Sequence, residues 1–256
     1  MSIVWIVMMV ATAGGCDDRD TLFGPASPAC VGTVASAGAA TGKSAPAARE
    51  PAAHESDPDV LVQRAHAALD AHNLDSADKL AQQALRENGA TPDAYVVLGD
   101  VALAQRRPSD ALASYDRALT LDPRDGWALV RAGEALTELG RRVEARARLR
   151  AFVADHPDAI PDVFDALGWM EMDASDAARA KAAFARALEV SKERDPDAWY
   201  GLAVLAADAS DAAGMERALR RVLVLDAARR DEIQHDEAFE PLRQSPQWRG
   251  LFAPER

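Results

Sequence analysis

The sequence predicts an all-α fold, five helix–turn–helix units repeated in tandem and closed by a C-terminal capping helix. Three observations carry this. Of the 256 residues, 56 are alanine, which loses no side-chain entropy in a helix and leaves little bulk between packed helices. From Pro58 onward an apolar phrase returns in phase at a spacing of 34 or 35 residues. Pro123 and Pro157 stand after the second half of two units, where a helix has to stop.

Composition bounds the function before any motif is read. The chain is 48% hydrophobic and 27% charged, an ordinary globular balance that excludes wholesale disorder. It carries 29 Lys and Arg against 41 Asp and Glu, a formal net charge of −12. An acidic chain without a long basic run is a poor match for a phosphate backbone, so no nucleic-acid partner is expected. Two cysteines, Cys16 and Cys30, make neither a disulfide framework nor a four-ligand zinc site.

The first element is residues 1–16. The apolar run from Ile3 to Ala11 is too short for a membrane-spanning helix, which needs about 20 residues, and fits the apolar centre of a secretory signal. Ala13-Gly14-Gly15-Cys16 resembles a bacterial lipobox, with Ala13 where leucine is usual and no Lys or Arg before the apolar run. The resemblance implies lipidation of Cys16 and a lipid anchor in the bacterial envelope, facing periplasm or exterior. Asp17 then resembles an inner-membrane retention signal. Without acylation, a Cys16–Cys30 disulfide remains open.

Residues 17–56 are rich in Ala, Gly, Ser, Pro and Thr with no helical or strand period. Such a segment cannot bury enough apolar surface to offset its ordering entropy, so it reads as a flexible linker, spanning roughly 30–40 Å. Within it, Gly42-Lys43-Ser44 suggests a phosphate-binding loop, but Ala37 occupies the place of the first glycine and no strand precedes it.

The repeats follow over 57–229, as 58–91, 92–125, 126–159, 161–194 and 196–229. Tyr95-Val96-Val97-Leu98-Gly99 aligns with Leu129–Gly133, Phe164–Gly168 and Trp199–Ala203. In the second halves Ala111, Ala145 and Ala180 recur, then Tyr115, Leu149 and Phe184, then Ala118, Phe152 and Ala187. In the first helices the fourth, seventh, eighth and eleventh positions make a mostly apolar stripe, as a 3.6-residue period requires, with Arg64 of the first unit at an expected apolar place. The pattern resembles the tetratricopeptide repeat, a 34-residue helix–turn–helix, and implies a right-handed α-solenoid. Gly99, Gly133 and Gly168 are expected where two helices cross, opposite Ala111, Ala145 and Ala180. Residues 230–256 supply Ile233, Phe239, Leu242, Trp248, Leu251 and Phe252, read as the cap that terminal units of an array need.

In the family a ligand lies in the concave groove lined by the second, fifth, ninth and twelfth positions of the first helices. Here the groove candidates are Val62, His66, Val96, Asp100, Trp127, Val130, Glu134, Asp165, Trp169 and Tyr200. An exposed apolar strip of Val62, Val96, Val130, Trp127, Trp169 and Tyr200 is expected, amid carboxylates that favour a basic or N-terminal-amine ligand. Aspartates Asp93, Asp162 and Asp197 also follow prolines at helix starts, where they favour the dipole whatever binds nearby. Family members that grip a chaperone's terminal carboxylate use a basic clamp of which only Arg131 has a counterpart here.

No metal site, nucleophile elbow or cofactor motif is legible. The histidines His54, His66, His72, His156 and His235 lack metal-ligand spacing. The reading is a non-enzymatic scaffold that binds a protein or peptide. The alternatives are a cytoplasmic adaptor or an accessory subunit of an enzyme complex.

Overall fold

The computed structural model describes residues 56–252. The predicted sites in the N-terminal segment, Cys16 foremost, lie outside them. The described residues hold twelve α-helices and no strand. Ten of these form five antiparallel pairs: α1 (Pro58–Asp70) with α2 (Leu74–Glu87), α3 (Pro92–Ala104) with α4 (Pro108–Leu121), α5 (Gly126–Glu138) with α6 (Arg142–Asp155), α7 (Pro161–Asp173) with α8 (Ala177–Val190), and α9 (Pro196–Asp208) with α10 (Ala212–Leu225).

Local chemistry sets the helix starts. Pro58, Pro92, Pro108, Pro161 and Pro196 occupy the first helical position, where a missing N–H costs nothing. Asp57, Asn73, Asp125, Asp176, Asp195 and Asp211 accept hydrogen bonds from the free N–H groups of the first turn. Each turn between paired helices contains one left-handed residue at the same place in its unit: His72, Arg106, Gly140, Ser175 and Ser210, with φ between 55° and 75°. The extra residue of the third and fourth units lies in the connections after α6 and α8, and in the latter Lys192 and Glu193 also take positive φ.

Packing runs along the array. Each second helix packs on its own first helix and on the next first helix, and successive first helices touch one another. One core cluster reaches from Val96 to Ala198, and a second gathers Leu61, Val62, Ala65, Ala77, Ala81, Ala84 and Val97. The helix crossings differ from the expectation. At two of the three glycines the nearest neighbour is not alanine but a ring. A Cβ on Gly99 would lie 2.4 Å from Tyr115, and one on Gly168 would lie 2.6 Å from Phe184. Gly201, from the next unit, faces the same Phe184 ring at 2.4 Å. Gly133 is looser, with Met170 at 3.2 Å and Leu149 at 3.9 Å.

The closing segment consists of two short helices and two 3₁₀ stretches. It comprises a 3₁₀ turn (Ala227–Arg229), α11 (Arg230–His235), a second 3₁₀ stretch (Glu237–Leu242) and α12 (Pro246–Phe252). Ile233 and Phe239 are fully buried and Trp248 and Leu251 nearly so. The 3₁₀ stretch packs on α9 and α12 on α10, covering the surfaces a sixth pair would otherwise cover.

Candidate functional site

The face of α1, α3, α5, α7 and α9 that carries the fifth and ninth positions holds the groove candidates, and the structure sorts them by burial. Val62, Val96, Val130 and Tyr200 are buried, so the exposed apolar strip expected there does not exist. Successive first helices touch, and Val96 and Val130 belong to one core cluster that spans them. Trp127 and Trp169 are half-buried and lean on the core cluster. His66 is exposed, Asp100 and Glu134 are half-buried, and Asp165 is buried.

Two polar stations stand out on this face. The first joins α3, α4 and α5. The Tyr115 hydroxyl donates to Asp100 Oδ1 at 2.6 Å, and Arg131 Nε donates to the same oxygen at 2.8 Å. Another Arg131 nitrogen donates to Glu134. Burial pushes the Tyr115 phenol well up, and Asp100 adds to it. Burial opposes the Arg131 charge, but Glu134 and Asp100 outweigh it and hold the guanidinium above its ordinary value. Burial raises Glu134 to about 7 against the pull of Arg131, with Asp100 and Glu138 adding repulsion. The groove carboxylates here are thus answered from within the chain.

The second station joins α7 to α9. Asp162 and Asp165 come from the first turns of α7, Asp195 caps α9, and Asp197 follows it. Burial, then the repulsion of Asp195 and a hydrogen bond shared with it, pushes Asp165 well above its ordinary value. Asp162 is exposed by surface area, yet partial desolvation of its carboxyl, then Asp195, raises it. Asp197 is raised by burial although Arg229 reaches its Oδ1 at 2.6 Å. Asp165 Oδ1 and Trp169 Nε1 are buried without a hydrogen-bond partner. Beside them run stacked rings, Trp169 to Phe184 at 5.3 Å, Trp169 to Tyr200 at 6.2 Å and Tyr200 to Phe239 at 5.7 Å.

Sequence reading missed Tyr115, Asp195 and Arg229 as partners of the groove and took Arg131 for a relic of a clamp. Spacing could have flagged Arg131, three residues before Glu134 on one helix face. Asp195 stands directly before Pro196, a helix-start signature. Arg229 carries no such signal. A cavity of about 330 Å³, lined by Arg124, Gly126, Phe152, His156, Asp158 and Ile160 among others, opens on the loops after α4 and α6. Among the described residues, no group of three or more His, Cys, Asp or Glu is placed to hold a metal ion, and no helix is long and apolar enough to cross a membrane.

Comparison with known proteins follows the same lines. A tetratricopeptide repeat profile matches residues 62–126 and 166–231, about half of the chain, and a second profile of the same description matches 102–170. The chain belongs to the tetratricopeptide repeat family. Membership implies a protein–protein interaction scaffold, since members are generally non-enzymatic. No curated protein matches the sequence. Among solved structures, pilF of Pseudomonas aeruginosa is 20% identical over 76% of this chain and 96% of that one, with a TM-score of 0.57. PilW, described as a widely conserved type IV pilus biogenesis factor, gives a TM-score of 0.63 at 16% identity, over 76% of this tetratricopeptide chain and 90% of that one. A thermophilic repeat protein of Thermus thermophilus gives 0.59 at 18% identity, over 71% and 98%. At these identities the likeness is one of fold.

Proposed function

We propose that this tetratricopeptide chain is a non-enzymatic scaffold that binds a protein or peptide along the groove face of its first helices, held at a bacterial envelope membrane by a lipid on Cys16. The observation that carries the binding reading is the state of two side chains. Trp127 and Trp169 stay half-buried on a face where Val62, Val96, Val130 and Tyr200 are covered. Large, rigid, partly desolvated rings set among polar groups are the usual anchors of an interface. The anchoring reading rests on the sequence of residues 1–16 and not on the fold likeness to pilF and PilW.

A basic partner is favoured, but not evenly along the groove. Asp100 and Glu134 are already paired with Arg131. A second gathering of carboxylates lies at α7 and α9, where Arg229 meets Asp197 alone of the groove aspartates, and the exposed Asp59 and Asp93 add a weaker field further along.

The test of binding is capture of envelope proteins by the immobilised chain, quantified against a Trp127→Ala, Trp169→Ala double variant. Capture is lost in the variant while its helical circular dichroism is retained. Undiminished capture by a folded variant overturns the groove. Intact mass of wild type beside Cys16→Ala tests the anchor: a diacylglyceryl mass absent from the variant supports it, and an unmodified wild-type chain removes it.

A further inference from the structure

The two polar stations of the groove are built from similar parts and finished differently. In the third unit the sixth helical position holds Arg131, whose guanidinium lies between Asp100 and Glu134. In the fourth and fifth units the same position holds Ala166 and Gly201. At Gly201 no side chain fits, because a Cβ there would meet the Phe184 ring at 2.4 Å. The fold therefore cannot deliver an arginine to the α7–α9 station as it does to the first one.

What remains among the described residues is a concentration of carboxylates with Arg229 as the cation paired to it. Asp162, Asp165, Asp195 and Asp197 act on one another. Arg229, the cation paired with Asp197 at 2.6 Å, also binds Asp226 at 3.1 Å. Asp165 is more than nine-tenths buried; its carboxyl shares a hydrogen bond with Asp195 when protonated, and once ionised its Oδ1 has no donor among the described residues. One helical turn on, the Trp169 indole N–H has no acceptor. An orphan buried oxygen is costly unless a donor reaches it. Asp162 is exposed and Asp197 partly so, and they mark the solvent side of the cluster.

Resting on the groove reading above, we propose that the junction of the fourth and fifth units is a subsite for the guanidinium of an arginine side chain carried by a bound peptide. The planar fork donates to Asp165 Oδ1 and to a neighbouring carboxylate, as Arg131 does inside the chain. The Trp169 ring offers its face to the cation, and its N–H suits a carbonyl of the peptide backbone. A guanidinium so placed favours ionised Asp165, whose proton passes to solvent on binding. The groups that set this exchange are Asp162 of α7, Asp195 and Asp197 of α9, and Arg229 beyond α10. Affinity therefore rises with pH through the raised range of Asp165.

Two blocked peptides test it, acetyl-Gly-Leu-Arg-Leu-Gly-amide and the same sequence with citrulline, which keeps the shape and removes the charge. Binding is followed on the full chain through the indole ¹H–¹⁵N signal of Trp169. The arginine peptide moves that signal and binds about tenfold more tightly than the citrulline peptide, the factor that corresponds to one charge-assisted contact. Asp165→Asn abolishes the preference, as does the milder Asp162→Asn at an exposed position. Asp208→Asn, exposed at the other end of α9, keeps it. Equal binding of the two peptides, or a preference that survives both Asp165→Asn and Asp162→Asn, overturns the arginine subsite while leaving the groove standing. Absence of binding by either peptide also overturns the subsite, and the groove is then judged by the capture experiment alone.

Discussion

The Arg150 guanidinium forks onto the Glu171 carboxylate, with Nε and a terminal nitrogen each 2.5 Å from an oxygen, and so fastens α6 to α7. The two ends are unequal, since Glu171 is almost wholly buried whereas Arg150 is about a third exposed. Removing the exposed partner strands a buried carboxylate. Arg150→Ala is therefore expected to cost about 3 kcal/mol, read as a lower denaturant midpoint with an unchanged slope. An unaltered midpoint would show that the pair contributes nothing.

The glycines divide into two classes by what faces them. Gly168→Ala and Gly201→Ala drive a methyl into the Phe184 ring, and each is expected to lose about 1–3 kcal/mol through overpacking. Gly133→Ala meets only the flexible end of Met170 at 3.2 Å. It is expected to be neutral, or stabilising by up to about 1 kcal/mol from helix propensity. Thermal unfolding of the three variants side by side gives the order.

Glu134 titrates far from its ordinary value of 4.5, at about 7 in the folded chain. Because the folded state holds this proton more tightly than the unfolded one, its favourable contribution is complete below pH 4.5. It is lost as the pH rises to about 7. Glu134→Gln, which cannot ionise, is expected to flatten the fall in stability across that window. Parallel pH profiles for the two proteins would contradict the assignment.

Phe239 is the wedge of the closing segment, fully buried between Tyr200 at 5.7 Å and Trp248 at 5.8 Å. Phe239→Ala is expected to cost about 3–5 kcal/mol. It should also raise hydrogen exchange in α9 and α10 before α1 and α2, whereas a uniform rise along the chain would deny it a capping role.

The all-α fold and the pairing of helices were legible because both rest on periodicity, which tandem recurrence makes redundant. A weak signal in one unit, such as Arg64 at an apolar place, is outvoted by the same position elsewhere. The candidate site was less legible. A stripe facing away from the second helix looks exposed in any single pair, whereas in the array Val96 and Val130 are buried within a core cluster shared by several units. Likewise Asp100 and Glu134 read as free carboxylates, because Tyr115 lies in the other helix of the pair and Arg131 was assigned a different role. The aromatic ring, not the alanine, as the neighbour of Gly99 and Gly168 depended on how far each ring reaches back across the crossing, which spacing does not encode.

Phe184 belongs to two units at once. Its ring fills the space left by Gly168 in its own pair and by Gly201 in the next. Arrays of this kind are commonly treated as sums of separable modules, each able to fray on its own. A side chain seated in two modules breaks that independence, because releasing either unit empties part of the other. The C-terminal two pairs are thus expected to open together as one cooperative block. Trp169, Tyr200 and the Asp165 cluster lie within that block and keep their mutual geometry even when the N-terminal end of the array breathes.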